Sequence, residues 1–92
     1  MGYYVYIIQS ELDASFYKGF SENPLKRLQQ HNNKEAKFTS SKTPWKLVYI
    51  ELLESKTAAL LREKAVKKYG HERIGVLINS PKNILSQFIQ NE

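Results

Sequence analysis

Two short runs of aromatic and β-branched residues near the N-terminus constrain the fold more than any other feature. Residues 3–9 read YYVYIIQ and residues 16–20 read FYKGF, and the mostly polar residues 10–15 separate them. Both runs are too short for a helix and consist of residue types that favour strands. Together they predict an antiparallel β-hairpin.

A helix, a loop and a third strand are expected next. Asn23 and Pro24 have the form of an N-cap followed by proline at the first helical position, which predicts a short helix ending near Asn32. Residues 33–44 place lysines among Ser, Thr and Asn without periodicity, which is typical of an exposed loop. Residues 46–53 (KLVYIELL) have the composition of a strand.

A longer helix follows the third strand. Ser55 or Thr57 can cap this helix, which is expected to run through Tyr69, and Gly70 occupies the place of a left-handed C-terminal cap. The apolar arc expected to pack inward consists of Ala58, Leu61, Ala65, Val66 and Tyr69.

The last part of the chain is predicted to be helical as well. Residues 71–78 carry apolar residues at helical spacing, and Pro81 opens a final amphipathic segment. The apolar stripe of that segment is Ile84, Leu85, Phe88 and Ile89. The order strand-strand-helix-strand-helix-helix-helix indicates an α+β fold, with a small three-stranded antiparallel sheet flanked by helices.

Length and composition exclude several classes of protein. Ninety-two residues fit one domain, expected to span residues 1–92 with a helical extension at 71–90. The absence of cysteine excludes disulfides, thiolate metal sites and cysteine nucleophiles, so any metal must use oxygen or imidazole ligands. No apolar run approaches the roughly 18 residues of a membrane span, and no signal peptide is recognisable, so we expect a cytoplasmic protein without a membrane partner.

The charge balance favours a polyanionic partner. Fourteen Lys and Arg residues against nine Asp and Glu residues give a formal net charge of +5. Contacts from such side chains to phosphates release counterions and favour binding of nucleic acid. A solvated basic surface without a ligand is the alternative, and charge alone does not exclude it.

Five polar positions carry a resemblance to a known family. Residues 4–6 (YVY) and 17–19 (YKG) resemble the two half-motifs of the GIY-YIG nuclease superfamily, and Arg27, His31 and Glu63 follow in order at family-like spacing. The match spans residue 3 to about residue 69. The chain is similar to the small, stand-alone, mostly uncharacterised bacterial members of the superfamily.

Three positions depart from the family pattern. Tyr4 stands where the family has its first glycine, and Lys18 replaces the isoleucine of the second half-motif. The fold should tolerate both changes, because the tyrosines carry the chemistry. The family also has a late asparagine, for which Asn79 is the nearest candidate, although its spacing and context match poorly.

The resemblance implies a metal-dependent endonuclease that hydrolyses phosphodiester bonds in DNA, branched or single-stranded, or in RNA, with DNA favoured. The catalytic residues that it implies are Tyr6, Tyr17, Arg27, His31 and Glu63. Tyr6 would take the proton of the attacking water, helped by Tyr17 or His31. Arg27 would hold the phosphate, and Glu63 would hold one Mg²⁺ or Mn²⁺ ion. Because a phenol is a weak base at pH 7, Lys18 or Arg27 would have to favour the phenolate.

The proposed roles of the two tyrosines make a prediction about strand register that does not depend on the resemblance. If Tyr6 lies opposite Gly19 and Ile8 opposite Tyr17, both phenols project from one face as diagonal neighbours, and Gly19 leaves space beside Tyr6. A slip of one residue would send them to opposite faces. The alternative is that both are ordinary strand aromatics.

The helical candidates also have simpler explanations. Arg27 and His31 are four residues apart and share a helix face, where an exposed pair can do no more than solvate the surface. Glu63 lies at the edge of the apolar arc, where a half-buried carboxylate suits Mg²⁺, or where it forms a surface pair with Lys67. Arg62 lies within the arc, and only snorkelling or a phosphate contact explains it.

Basic residues of a loop and a strand are candidates for binding nucleic acid. These residues are Lys18, Lys34, Lys37 and Lys42. Phe38 and Trp45 are interleaved with the loop lysines and could stack on bases. Trp45 could equally fill the core beside the third strand.

Two other functions remain open at this point. The scaffold could be a non-catalytic nucleic-acid-binding module, since family members that cut particular sites usually carry an additional DNA-binding domain. It could also be a protein-interaction domain that uses its C-terminal helices, if they leave an apolar patch exposed. The sequence gives no oligomeric state.

Overall fold

A computed structural model describes residues 2–90 and has the expected α+β architecture. Its elements are β1 (Tyr3–Ser10), β2 (Phe16–Ser21), α1 (Pro24–Asn32), a 3₁₀ turn (Ser40–Lys42), β3 (Trp45–Leu53), α2 (Lys56–Val66), α3 (His71–Ile78) and α4 (Leu85–Gln90). The predicted fold class and order of strands and helices are confirmed. No helix within residues 2–90 has the length and apolar character needed to cross a membrane.

The central strand explains the continuous apolar run near the N-terminus. The three antiparallel strands lie in the order β2-β1-β3. Val5, Tyr6, Ile7 and Ile8 are all buried, because side chains alternate along a strand and both faces of β1 are covered. We call the side that carries Tyr6 and Ile8 the Tyr6 face, and the opposite side the Ile7 face.

Each face has its own hydrophobic cluster. The cluster on the Tyr6 face contains Tyr6, Ile8 and Trp45, with Tyr17, Leu28 and Leu47 packed against them. The cluster on the Ile7 face contains Ile7, Tyr49, Val66, Ile74 and Leu77. Helix α1 therefore covers the Tyr6 face through Leu28, and α2 and α3 cover the Ile7 face.

The strand register agrees with the one that the functional hypothesis requires. Tyr6 pairs with Gly19, and Ile8 pairs with Tyr17. Tyr6 and Tyr17 consequently lie on the same face, with ring centroids 6.5 Å apart. This prediction is confirmed.

The inward face of α2 differs from the predicted arc. Leu61 is 65% exposed, whereas Ala59 and Val66 are fully buried. The inner face contains Ala59, Arg62, Glu63 and Val66, at spacings of three and four residues. The hydropathy pattern predicted a different arc because it treats charged residues as exposed. The two charged residues on the inner face are instead held by ion pairs, Arg62 with Glu51 and Glu63 with Lys67.

The predicted role of Gly70 is wrong. Helix α2 ends at Val66, before this glycine. Gly70 has φ −76° and ψ 173°, an extended conformation, and is the N-cap of α3. An extended residue at this point separates the two helices, so no left-handed cap is formed.

The final helix begins at Leu85 and not at Pro81, because the Asn83 side chain is engaged in hydrogen bonds to other elements. The Asn83 side chain accepts hydrogen bonds from the N–H groups of Ile50 and Leu85. It also donates to the carbonyls of Val48 and Ile78. These bonds attach the segment before α4 to the outer edge of β3, a role that hydropathy does not signal.

The predicted stripe of α4 is correct only in part. Phe88 packs edge-on against Tyr4, with ring centroids 5.3 Å apart. Ile89 is 54% exposed and does not belong to the core.

Candidate active site

A chain of buried hydrogen bonds begins at Tyr6. The Tyr6 hydroxyl lies 2.9 Å from Nε2 of His31. The other ring nitrogen, Nδ1, lies 2.8 Å from the Thr39 hydroxyl. All three residues are buried. One strand, one helix and the loop after that helix thus meet at a single polar cluster.

The local sequence makes room for this cluster. A Cβ atom on Gly19 would lie 2.7 Å from the Tyr6 hydroxyl oxygen, so a side chain at this position would collide with the phenol. Tyr17, two residues earlier on β2, is half-buried, and the centroids of its ring and of the His31 ring are 4.8 Å apart. The missing side chain of Gly19 lets Tyr6 turn toward α1, and both tyrosines adjoin the imidazole.

The direction of the hydrogen bonds follows from the far end of the chain. We assign the one proton of the Thr39 hydroxyl to the Ala36 carbonyl, which lies 3.3 Å away. Thr39 therefore accepts from His31 Nδ1–H, which leaves Nε2 without a proton. The Tyr6 hydroxyl donates to that nitrogen, so the imidazole is the acceptor for the phenol.

Burial keeps His31 neutral. It lowers the pKa of His31 to about 4, and the positive charge of Arg27 acts in the same direction. The alternative of a solvated histidine at the helix surface is wrong, because His31 is fully buried. At pH 7 the imidazole is an uncharged proton acceptor.

The Tyr6 phenol is also neutral. Burial raises the pKa of Tyr6 above its ordinary value, and the guanidinium of Arg27 counteracts this only in part. The prediction that Lys18 favours a phenolate is wrong, since Lys18 pairs with Ile7 and so lies on the opposite face. Its ammonium lies 3.4 Å from the Tyr69 carbonyl.

Arg27 lies at the partly exposed rim of the cluster. One of its terminal nitrogens donates to the side chain of Gln30 at 2.6 Å. A guanidinium has five N–H donors in a planar fork, so most of them remain for an anion. Arg27 thus lies beside Tyr6 with N–H donors that the protein does not use.

Glu63 acts on the cluster electrostatically from α2. Its negative charge contributes to the raised pKa of Tyr6. The Glu63 side chain is 17% exposed and lies 3.5 Å from the Lys67 ammonium. The half-buried carboxylate and the surface pair, which the sequence offered as alternatives, therefore exist together.

A single carboxylate is compatible with one kind of metal site. Residues 2–90 contain no group of three His, Cys, Asp or Glu side chains able to hold a metal ion. Mg²⁺ needs no such protein cage, because it keeps several waters and takes other oxygens from phosphates. Glu63 fits a site of this type as the one protein ligand.

The candidate nucleic-acid-binding residues are dispersed. Lys34 and Lys37 are exposed on the loop after α1, where Phe38 is 87% exposed. Lys42 instead forms an ion pair with Asp13 at 2.8 Å. Trp45 is buried, and its indole N–H donates to the Thr39 carbonyl, so the core-filling alternative is correct for Trp45.

Sequence reasoning missed two residues that support the cluster. Thr39 lies in the loop expected to be fully exposed, and no pattern signalled its burial. Asn32 exchanges two hydrogen bonds with the backbone of Trp45, which attaches the end of α1 to β3. The late asparagine candidate, Asn79, lies at the end of α3, where its amide donates to Gly75.

The chain resembles known proteins in sequence and in structure. A family model described as the GIY-YIG catalytic domain matches residues 2–73. A UPF0213 protein of Syntrophus aciditrophicus (strain SB) is 37% identical over 84 residues, covering 88% of this chain and 95% of the relative. A UPF0213 protein of Clostridium perfringens (strain 13 / Type A) is 42% identical over 78 residues, covering 84% and 83%.

A solved structure resembles the fold. The solution NMR structure of a UPF0213 protein from Bacillus halodurans matches with a TM-score of 0.57 at 30% identity. The match covers 89% of this chain and 87% of that chain. The resemblance expected from the tyrosine half-motifs is confirmed.

Proposed function

Since the chain belongs to the GIY-YIG catalytic domain family, we propose that it is a metal-dependent endonuclease that hydrolyses phosphodiester bonds in nucleic acid. The observation that carries this proposal is the 2.9 Å hydrogen bond between the Tyr6 hydroxyl and Nε2 of a buried, neutral His31, in which we assign the phenol as donor. A phenol whose pKa is raised stays protonated at pH 7 and is by itself a poor base. A phenol that can pass its proton to imidazole does not have to ionise first.

The proposed chemistry is a relay of two protons. A water attacks phosphorus and gives its proton to the Tyr6 oxygen while the phenolic proton moves to Nε2 of His31. His31 becomes an imidazolium whose Nδ1–H still donates to Thr39. The negative charge of the bound phosphate would raise the pKa of His31 from about 4 and favour this transfer.

Phosphate binding falls to the rim of the site. Arg27 offers its free N–H donors to the non-bridging oxygens and offsets the charge that develops at phosphorus. Glu63 would hold one Mg²⁺ or Mn²⁺ ion, whose chemistry is to neutralise the leaving oxygen. Tyr17, half-buried beside His31, is available to donate a hydrogen bond to the same phosphate.

The loop after α1 is proposed to hold the substrate. Lys34 and Lys37 can contact the backbone, and the exposed ring of Phe38 can stack on an unpaired base. Phe38 directly precedes Thr39, which bonds to His31. A base held there would lie close to the reacting phosphate, so single-stranded or branched DNA is the substrate that we favour.

One observation favours a second candidate, a nucleic-acid-binding module that does not cut. Tyr6 is only 1% exposed, which restricts the approach of a water to its oxygen. Binding through Arg27 and the loop lysines would survive without catalysis. The two candidates differ in whether any metal supports cleavage.

The test compares single-stranded, branched and duplex DNA, and RNA, with Mg²⁺ or Mn²⁺. We expect cleavage by the wild type and its loss in Glu63→Gln, which keeps the shape of the side chain but removes its charge. Glu72→Gln, an exposed change on α3, is the matched control and should cut normally. Binding without cleavage in either metal would favour the module.

A further inference from the structure

A second cluster of cationic side chains lies on the Ile7 face, away from Tyr6. A surface cavity of about 220 Å³ is lined by Arg62, Tyr69, Arg73, Val76, Leu77, Ser80 and Lys82. Three of these seven side chains are cations, and none is a carboxylate. Such a lining is suited to an anion, since a cation would meet only like charges there.

The two arginines are organised around one aromatic ring. The Arg73 guanidinium carbon lies 3.9 Å from the centroid of the Tyr69 ring, and that of Arg62 lies 6.0 Å from the same centroid. Arg62 is held in place by its Nε, which donates to Glu51 at 2.9 Å. Stacking and this ion pair fix both planar groups before any ligand arrives.

Donors remain free for a ligand. The ion pair with Glu51 uses the Nε of Arg62, and one terminal nitrogen donates to the Tyr69 hydroxyl at 3.3 Å. That hydroxyl still has its own proton to donate. Within residues 2–90, Arg73 and Lys82 have no ion-pair partner. The cavity thus presents guanidinium, ammonium and phenol donors together.

We propose that this cavity is a phosphate-binding site, distinct from the candidate active site on the Tyr6 face. Two guanidinium groups that flank one cavity repel each other, and an anion with several oxygens relieves this repulsion while it accepts their bonds. Phosphate suits the site better than a carboxylate because three cations face it. The phosphate belongs to a nucleic-acid backbone or to a small free phosphate compound.

The site has consequences for how nucleic acid is bound. Arg62, which lines this cavity, directly precedes Glu63 on α2, and the charge of Glu63 acts on Tyr6. If the phosphate is part of nucleic acid, the strand extends from this cavity past α2 toward the Tyr6 cluster. Only this extension rests on the proposed nuclease function; the cavity itself does not depend on it.

The experiment is an NMR titration of the ¹⁵N-labelled protein without divalent metal, at constant ionic strength. One arm uses inorganic phosphate, and the other uses a short single-stranded oligonucleotide. We expect saturable shifts of the amides around Ser80 and Lys82. Arg73→Gln combined with Lys82→Gln should weaken this binding at least tenfold. Lys64→Gln combined with Lys68→Gln removes the same charge from exposed positions outside the cavity and is the matched control.

Each outcome supports or overturns the proposed phosphate-binding site. Saturable shifts with the oligonucleotide assign the site to nucleic acid, and the cavity variant should then lower the slope of log K against log salt by about one per lost phosphate contact. Shifts with inorganic phosphate alone assign it to a small phosphate compound. Shifts that do not saturate, or that both double variants reduce equally, would overturn the site. Tyr6→Phe should bind in the cavity like the wild type, whether or not it cuts.

Discussion

The two faces of the sheet each bury one tyrosine hydroxyl, but they give it opposite partners. On the Tyr6 face the phenol lies 2.9 Å from Nε2 of a neutral imidazole, for which we assign the phenol as donor. On the Ile7 face Tyr49 donates to the Glu51 carboxylate at 2.6 Å, and Arg62 bonds to the same oxygen. Burial raises the pKa of both phenols, and beside Tyr49 the carboxylate raises it further.

The difference lies in what would follow the loss of a proton. A Tyr49 phenolate would face a carboxylate, and the ion pair between Glu51 and Arg62 already satisfies that oxygen. Proton loss from Tyr6 instead leaves an imidazolium beside a phenolate, two opposite charges in contact. Burial alone therefore does not identify a reactive phenol; the capacity of its partner to accept a proton does.

The largest expected effect separates these two tyrosines by activity. We expect Tyr6→Phe to lower the cleavage rate by about 10²–10⁴-fold, the usual contribution of a positioned acid or base. Tyr49→Phe removes the same hydroxyl from the Ile7 face and should cut within a few-fold of the wild type. Single-turnover cleavage with saturating metal measures both. Equal losses in the two variants would mean that the phenols act only through folding.

A smaller effect tests the space beside Tyr6. Gly19→Ala places a methyl group 2.7 Å from the phenol oxygen and should lower the free energy of unfolding by about 1–3 kcal/mol. Gly75→Ala is the control, because nothing lies within 4 Å of its added Cβ. This helix-interior change should stabilise by about 0.5–1 kcal/mol. Urea unfolding of both variants gives the values, and a neutral Gly19→Ala would contradict the packing.

A third prediction concerns acid stability. The unfolded chain binds a proton on His31 near pH 6.5, whereas the folded chain resists it until about pH 4. The stability due to neutral His31 is therefore complete above pH 6.5 and is lost as the pH falls toward 4. The slope should reach about 1.4 kcal/mol per pH unit. Chemical unfolding across this range measures it.

The two histidines of the chain provide the control for that slope. His31→Gln should flatten the pH dependence, even if it lowers stability throughout. The matched control is His71→Gln, which removes the other histidine at an exposed position; a slope that both changes flatten equally would contradict the assignment to His31. A wild-type protein whose stability is flat from pH 6.5 to 4 would show that His31 titrates normally.

The parts of the molecule that the sequence predicted are those with a strong local signal. The aromatic and β-branched runs predicted the hairpin, the functional hypothesis required the register of Tyr6 with Gly19 that the structure has, and the proline after Asn23 located the start of α1. The inward face of α2 was mispredicted because hydropathy counts Arg62 and Glu63 as surface residues. The partner of Arg62 is Glu51 on β3, which the local helix pattern does not reveal, whereas the pair of Glu63 with Lys67 was among the predicted alternatives.

The candidate site divides in the same way. The order of Tyr6, Tyr17, Arg27, His31 and Glu63 along the chain indicated the family before any geometry was known. The burial of His31 and the contribution of Thr39 were not predictable, because both depend on how a loop without periodicity folds back onto α1. The raised pKa of Tyr6 follows from that same burial and disfavours the phenolate that the resemblance implied.

The protonation of the His31 ring tests the proton path most directly. A ¹⁵N–¹H NMR spectrum that correlates ring nitrogens with ring carbons, recorded from pH 4 to pH 8, distinguishes the two neutral forms from the imidazolium. At pH 7 we expect a proton on Nδ1, none on Nε2, and no titration until well below pH 6. A proton on Nε2, or an imidazolium at pH 7, would contradict the role of His31 as the acceptor for Tyr6.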